Sequence, residues 1–120
     1  MSFNMNNKLF IDFLNELKDS KLIKVTGSFA DKTNNINSDI DFYVKQDSPD
    51  TLYSDRNILK IINILNKYNI KFDSSVTGYI YTHKMYGNCL PIEIEFSDLF
   101  YHRKNRLKEV EIFGVKFKTH

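Results

Sequence analysis

Asp39 and Asp41 stand one residue apart in the segment Asp39 to Lys45, where Ile40, Phe42 and Val44 alternate with Asp39, Asp41 and Tyr43. Period-two alternation predicts a strand with one apolar face. Both carboxylates then leave the sheet on the same side, with Cα atoms roughly 6.6 to 7 Å apart. Acids held so close disfavour each other's ionised form unless a cation neutralises them. A hard divalent ion such as Mg2+ or Mn2+ takes oxygen ligands of this kind. The segment Ile92 to Phe96 repeats the pattern, with Glu93 and Glu95 opposite Ile92, Ile94 and Phe96. If the two strands are neighbours, Asp39, Asp41, Glu93 and Glu95 converge. Four carboxylates suffice to hold two metal ions about 3.5 to 4 Å apart for an in-line displacement at phosphorus. The same alternation also describes an ordinary half-solvated strand. Glu109 and Glu111, which alternate with Val110 and Ile112, are read that way.

Gly27 and Ser28 follow a short β-rich stretch, Lys21 to Thr26, and ten residues separate Ser28 from Asp39. A glycine at the end of a strand lets backbone approach a ligand closely. A serine hydroxyl and free N–H groups at the next turn suit a phosphate. His102, Arg103, Lys104, Arg106 and Lys108 form a basic cluster that suits a phosphate or a nucleic-acid end, or simply faces solvent. Tyr43, Tyr79, Tyr81 and Tyr86 are candidates for stacking a base, or for covering a sheet face. His83 and His120 have no metal-ligand spacing to Cys89.

The elements that position these residues are legible in outline. Leu9, Phe10, Phe13, Leu14 and Leu17 predict an amphipathic helix over residues 6–19. Ser54 or Asp55 can cap a second helix, carried by Ile58, Leu59, Ile62, Leu65 and Tyr68. Residues 31–38 and 46–53 read as loops. Further strands are expected at 70–72 and 79–84, a turn at Gly87 and Asn88, and a short helix from Ser97 to about Arg106. A hairpin, 110–113 and 115–117 around Gly114, follows. The sum is α+β: one domain over residues 1–120, a mixed β-sheet with helices on one face. A length of 120 residues with 42% hydrophobic content supports one core. Cys89 is the sole cysteine, so no internal disulfide forms. With no signal-like leader and no long apolar run, cytoplasm is the default location. The net charge of +2 is not the strongly basic footprint of a duplex-DNA binder.

Gly27-Ser28, the ten-residue gap, Ser38-Asp39-Ile40-Asp41-Phe42 and the later acidic strand together resemble the DNA polymerase β-type nucleotidyltransferase superfamily. The likeness is greatest to its minimal nucleotidyltransferases and antibiotic adenylyltransferases, over about Leu22 to Phe117. It implies the nucleotidyltransferase fold, Gly27 and Ser28 on the triphosphate, and Asp39 and Asp41 on Mg2+ or Mn2+. It also implies a third carboxylate on the later strand. Glu93 and Glu95 both fit that position, and Glu93 is favoured. The implied activity is metal-dependent transfer of a nucleoside monophosphate from a triphosphate to a hydroxyl or phosphate. Two departures stand out. Small members usually carry Ala-Arg-Gly where this sequence has Ala30-Asp31-Lys32, and antibiotic-modifying members continue into an acceptor domain beyond the hairpin. The acceptor is accordingly expected to be a partner protein, a transfer RNA or a very small molecule. The alternative implied by the resemblance is an antitoxin-like regulatory module acting on a protein partner.

Overall fold

The computed structural model describes residues 7–31, 39–47, 55–74, 78–82, 92–97 and 107–119. The first helix, α1 (Asn7–Asp19), buries Phe10, Phe13, Leu14 and Leu17, each at most 3% exposed. Each such side chain contributes about 1.5 to 3 kcal/mol by leaving water. Leu9, expected in that stripe, lies largely outside it at 37% exposure. The helix closes through Ser20 N–H donating to Glu16 C=O and Lys21 N–H to Lys18 C=O, with Lys21 in the left-handed region at φ 61°. The chain can turn extended only after that residue, so β1 (Ile23–Thr26) starts two residues later than alternation suggests.

A short helical turn, α2 (Gly27–Asp31), separates β1 from β2 (Ile40–Lys45). Then come α3 (Arg56–Lys67), β3 (Phe72–Asp73), β4 (Tyr79–Thr82), β5 (Ile92–Ser97) and the pair β6 (Glu109–Ile112) and β7 (Val115–Lys118). Asp55 is the cap of α3: its carboxylate accepts from the N–H groups of Asn57 and Ile58 at 2.9 and 3.2 Å. Those bonds satisfy donors that the first helical turn leaves unpaired. The buried stripe of α3 is Ile58, Ile61 and Leu65, and Leu59 is exposed. At its far end Asn69 has φ 54° and Ile70 N–H donates to Leu65 C=O, so Ile70 ends the helix and does not open a strand.

The strands form a five-stranded sheet in the order β1-β2-β5-β4-β3 and a separate hairpin of β6 and β7. Within the sheet β2 and β5 run parallel, and the other neighbouring pairs run antiparallel. The architecture is therefore α+β with a mixed sheet. Phe113 and Gly114 both take positive φ, 50° and 83°, as a two-residue hairpin turn with the right twist requires. Phe113 is thus a turn residue, with its ring 5.1 Å from that of Phe10. Apolar side chains of α1, α3, the hairpin and one sheet face make a single buried cluster. The ring of Phe117 on β7 meets that of Phe42 at 5.3 Å. One sheet face is consumed by this core, and the other is left to polar side chains. Ser97, expected to start a helix, is the last residue of β5. The rest of that segment, the turn at Gly87 and Asn88, and His83, Tyr86 and Cys89 lie outside the described residues.

Candidate active site

The register of β2 on β5 decides which acids meet. Asp41 is paired with Glu93 and Tyr43 with Glu95 across the parallel ladder. Residues opposite each other in a ladder project to the same face, about 4.8 Å apart strand to strand. Ile40, Phe42, Val44, Ile92, Ile94 and Phe96 are all buried on the core face. The acids therefore have to occupy the other one. β5 is held to β4 beyond its regular pairing: Ile92 N–H donates to Thr82 Oγ1 at 2.8 Å, and Phe96 N–H to Gly78 C=O at 2.7 Å. Both ends of the strand carrying Glu93 and Glu95 are fixed by these bonds.

Asp41, Glu93 and Glu95 line one open cleft of about 200 Å3, together with Thr26, Gly27 and Phe42. Asp39, exposed and just before β2, does not line the cleft, but its charge acts on Asp41. Thr26 is paired with Asp41 across β1 and β2, so the end of β1 delivers Gly27 to the same place. A Cβ on Gly27 would lie 2.1 Å from Asp41 Oδ2, and the residue has φ +66°. The volume a side chain would fill is taken by the Asp41 carboxyl. Ser28, half-buried, is the second residue of α2.

Burial, followed by the charge of Glu93, a hydrogen bond with Glu93, and the charges of Asp39 and Glu95, pushes the Asp41 pKa from 3.8 up to about 7. In the metal-free protein Asp41 thus holds a proton through the range where an ordinary aspartate has lost it. Among the described residues no three His, Cys, Asp or Glu side chains are already gathered as a metal site. The donor set nonetheless fits a hard divalent cation: it is all carboxylate oxygen, and burial and the neighbouring acids keep its central member protonated up to about pH 7. A cation bound there would compete with the proton for Asp41, and its affinity would fall as pH drops through 7.

A stability prediction follows from the same shift. The folded state keeps the Asp41 proton while the unfolded chain releases it, so this group favours folding at low pH. The contribution declines as pH rises from 3.8 to about 7 and is flat above. Without metal, the melting temperature of wild type relative to Asp41→Asn should fall across that window. Thermal melts of both proteins over the range check it, and a constant difference would refute the Asp41 assignment. Added Mg2+ should reverse the trend, stabilising wild type more above pH 7 than below.

The tyrosines divide. Tyr43, on the inner strand β2, is 4% exposed and so is withdrawn from base stacking. Tyr79 and Tyr81, half-buried on β4, are paired with Glu95 and Glu93 and stack on each other at 5.8 Å and 15°. Desolvation, then the Glu93 charge, raises the Tyr81 phenol above its ordinary pKa and keeps it a donor beside the acids. Glu109 and Glu111 are exposed. Of the basic cluster only Lys108, exposed, is among the described residues. The contact between Gly27 and Asp41 was not legible in the sequence, since it depends on the β1–β2 register.

A family model described as nucleotidyltransferase domain matches residues 8–113. No curated protein matches the chain.

Proposed function

Since the chain belongs to the nucleotidyltransferase domain family, we propose that its carboxylate cleft catalyses metal-dependent transfer of a nucleoside monophosphate from a triphosphate to an acceptor hydroxyl or phosphate. The observation that carries this reading is the pairing of Asp41 with Glu93 on adjacent parallel strands, which sets two acids side by side at the mouth of β1.

In this reading Asp39, Asp41 and Glu93 hold Mg2+ or Mn2+, with Glu95 as a further oxygen donor. When bound, such ions would neutralise charge on the triphosphate and on the leaving pyrophosphate. Gly27 and the Ser28 hydroxyl contact the triphosphate where β1 ends. An acceptor oxygen attacks the α-phosphorus, the bond from that phosphorus to the bridging oxygen breaks, and pyrophosphate departs. Glu93 accepts the acceptor's proton, a role for which its place beside the acids and the Tyr81 phenol suits it. The acceptor is a partner protein, a transfer RNA or a molecule small enough for the cleft, whose volume is about 200 Å3.

Incubation with α-labelled triphosphates, Mg2+ or Mn2+, and either transfer RNA or a co-encoded protein should yield a labelled acceptor. Chelation should abolish the transfer. A parallel melt with metal and a non-hydrolysable triphosphate should show stabilisation, about 2.7 kcal/mol when ligand exceeds its Kd a hundredfold. No shift with metal, even with the triphosphate present, would make the protein a non-catalytic scaffold acting on a protein partner.

A further inference from the structure

A second concavity lies along the outer side of β1, where the end of α1, the edge strand and β7 meet. Its volume is about 630 Å3, and Lys18, Lys21, Lys24, Lys116 and Lys118 line it. The acids in the lining are Asp19 and Glu109, and the apolar floor is Ile23 and Phe117. Five lysines against two acids make this groove more positive than the whole chain, whose net charge is +2. The cleft of Asp41, Glu93 and Glu95, by contrast, has no basic residue in its lining among the described residues.

We infer that this lysine groove binds the phosphate backbone of a single-stranded nucleic acid and leads its terminal hydroxyl to the carboxylate cleft. The identity of the groove's ligand as acceptor rests on the nucleotidyl-transfer reading; binding in the groove does not. Four features select this occupant. First, β1 joins the two concavities. Lys24 is paired with Tyr43 and Thr26 with Asp41, so Lys24 lies on the carboxylate face two residues before the cleft, roughly 7 Å along the strand. A chain lying in the groove needs little further reach to present its end.

Second, a polyanion cannot approach four acids unaided, and the groove supplies the compensating charge next to them. Third, the basic groups lining the groove are, among the described residues, all lysines. Ammonium groups attract backbone phosphates as point charges and ask for no fixed geometry from them. Lys116 and Lys118 alternate on the exposed side of β7, a repeated charge suited to a repeated anion. Fourth, the lysines line a concavity of about 630 Å3 and not a flat face, a shape that favours a single strand over a duplex. Lysines on an edge strand also deter aggregation, but that role asks nothing of Lys18 or Lys21 on the α1 side.

Fluorescence anisotropy with short single strands of RNA and of DNA, without metal or triphosphate, tests the inference. Wild type should bind at low salt, and log affinity should fall linearly with log salt. The triple variant Lys21→Glu, Lys116→Glu, Lys118→Glu should lose at least about tenfold in affinity. Its salt slope should drop by about 2, at ~0.7 per lost phosphate contact. The charge-preserving triple Lys→Arg variant at the same positions should retain binding. So should a charge-matched control, Lys8→Glu, Lys60→Glu, Lys71→Glu, which lies outside the groove lining. Comparison of the RNA and DNA strands identifies which sugar the groove accepts. Absence of low-salt binding, equal loss in the control, tighter binding of duplex, or equal binding of a polyglutamate peptide would each overturn the assignment. Strand binding by wild type with no transfer to the bound strand, in the presence of triphosphate and Mg2+ or Mn2+, would leave the groove standing and remove the transfer reading. Transfer to a protein acceptor with no strand binding would do the reverse.

Discussion

Asp41→Ala and Asp39→Ala should each lower the rate of nucleotidyl transfer by about 10^3-fold or more, the scale on which single electrostatic groups act at a transferring phosphoryl centre. The loss should fall on the chemical step. Neither aspartate is proposed to grip the base, so triphosphate binding should weaken less than turnover. Folding should move in the opposite direction for Asp41. Its carboxyl is partly desolvated beside Glu93 and other acids, which raises its pKa to about 7 and makes its ionised form above that pH costly without metal. Its removal should leave the metal-free protein at least as stable above pH 7 as wild type. Stability preserved and activity abolished is a combination that a merely structural aspartate does not give. The measurements are single-turnover transfer with α-labelled triphosphate and thermal melts of the same preparations. A loss of under tenfold in either variant would take the carboxylates out of the mechanism.

Much of this site could be read directly from residue order, because period-two alternation needs no partner strand to be recognised. Ile40, Phe42 and Val44 had to face the core, which left Asp39 and Asp41 on the other side, and the same logic fixed Glu93 and Glu95. Alternation is silent on register, however. Glu93 and Glu95 share a face and a pattern, and only pairing across some fifty residues sets Glu93 opposite Asp41 and Glu95 opposite Tyr43. Tyr43 shows the limit of the same rule: it lies on the acidic face by alternation, yet it is buried. In α3 the failure has another cause. Ile58, Leu59, Ile61, Ile62, Ile64 and Leu65 crowd one helix with more apolar positions than a single stripe can use. Periodicity alone could not choose Ile61 over Leu59. The lysine groove left no local trace at all. Lys18, Lys21 and Lys24 are nearly a hundred residues from Lys116 and Lys118, and each reads singly as a solvated position. They converge because Phe117 anchors β7 in the core beside β1.

Gly27→Ala should be the most damaging alanine substitution among the described glycines. The new Cβ would sit 2.1 Å from Oδ2, 2.8 Å from Cγ and 3.0 Å from Cβ of Asp41. The backbone φ of +66° is a conformation that costs an L-residue about 1 to 2 kcal/mol. Either Asp41 swings away from Glu93 or the junction of β1 and α2 shifts, and both displace a carboxylate from where a metal would need it. A misplacement of about 1 Å at a reacting centre costs roughly 10^2-fold in rate, the loss expected here. Backbone strain alone would give the same stability loss whatever stands at position 41. A double-mutant cycle separates the two causes. In the Asp41→Ala background the colliding Cγ and Oδ2 are gone, and only the 3.0 Å approach to Cβ remains. There Gly27→Ala should cost little further activity and only the strain part of its stability loss. If it costs as much in that background as in wild type, Gly27 is conserving a turn. If the costs differ as stated, the glycine is there because Asp41 occupies the space beside it.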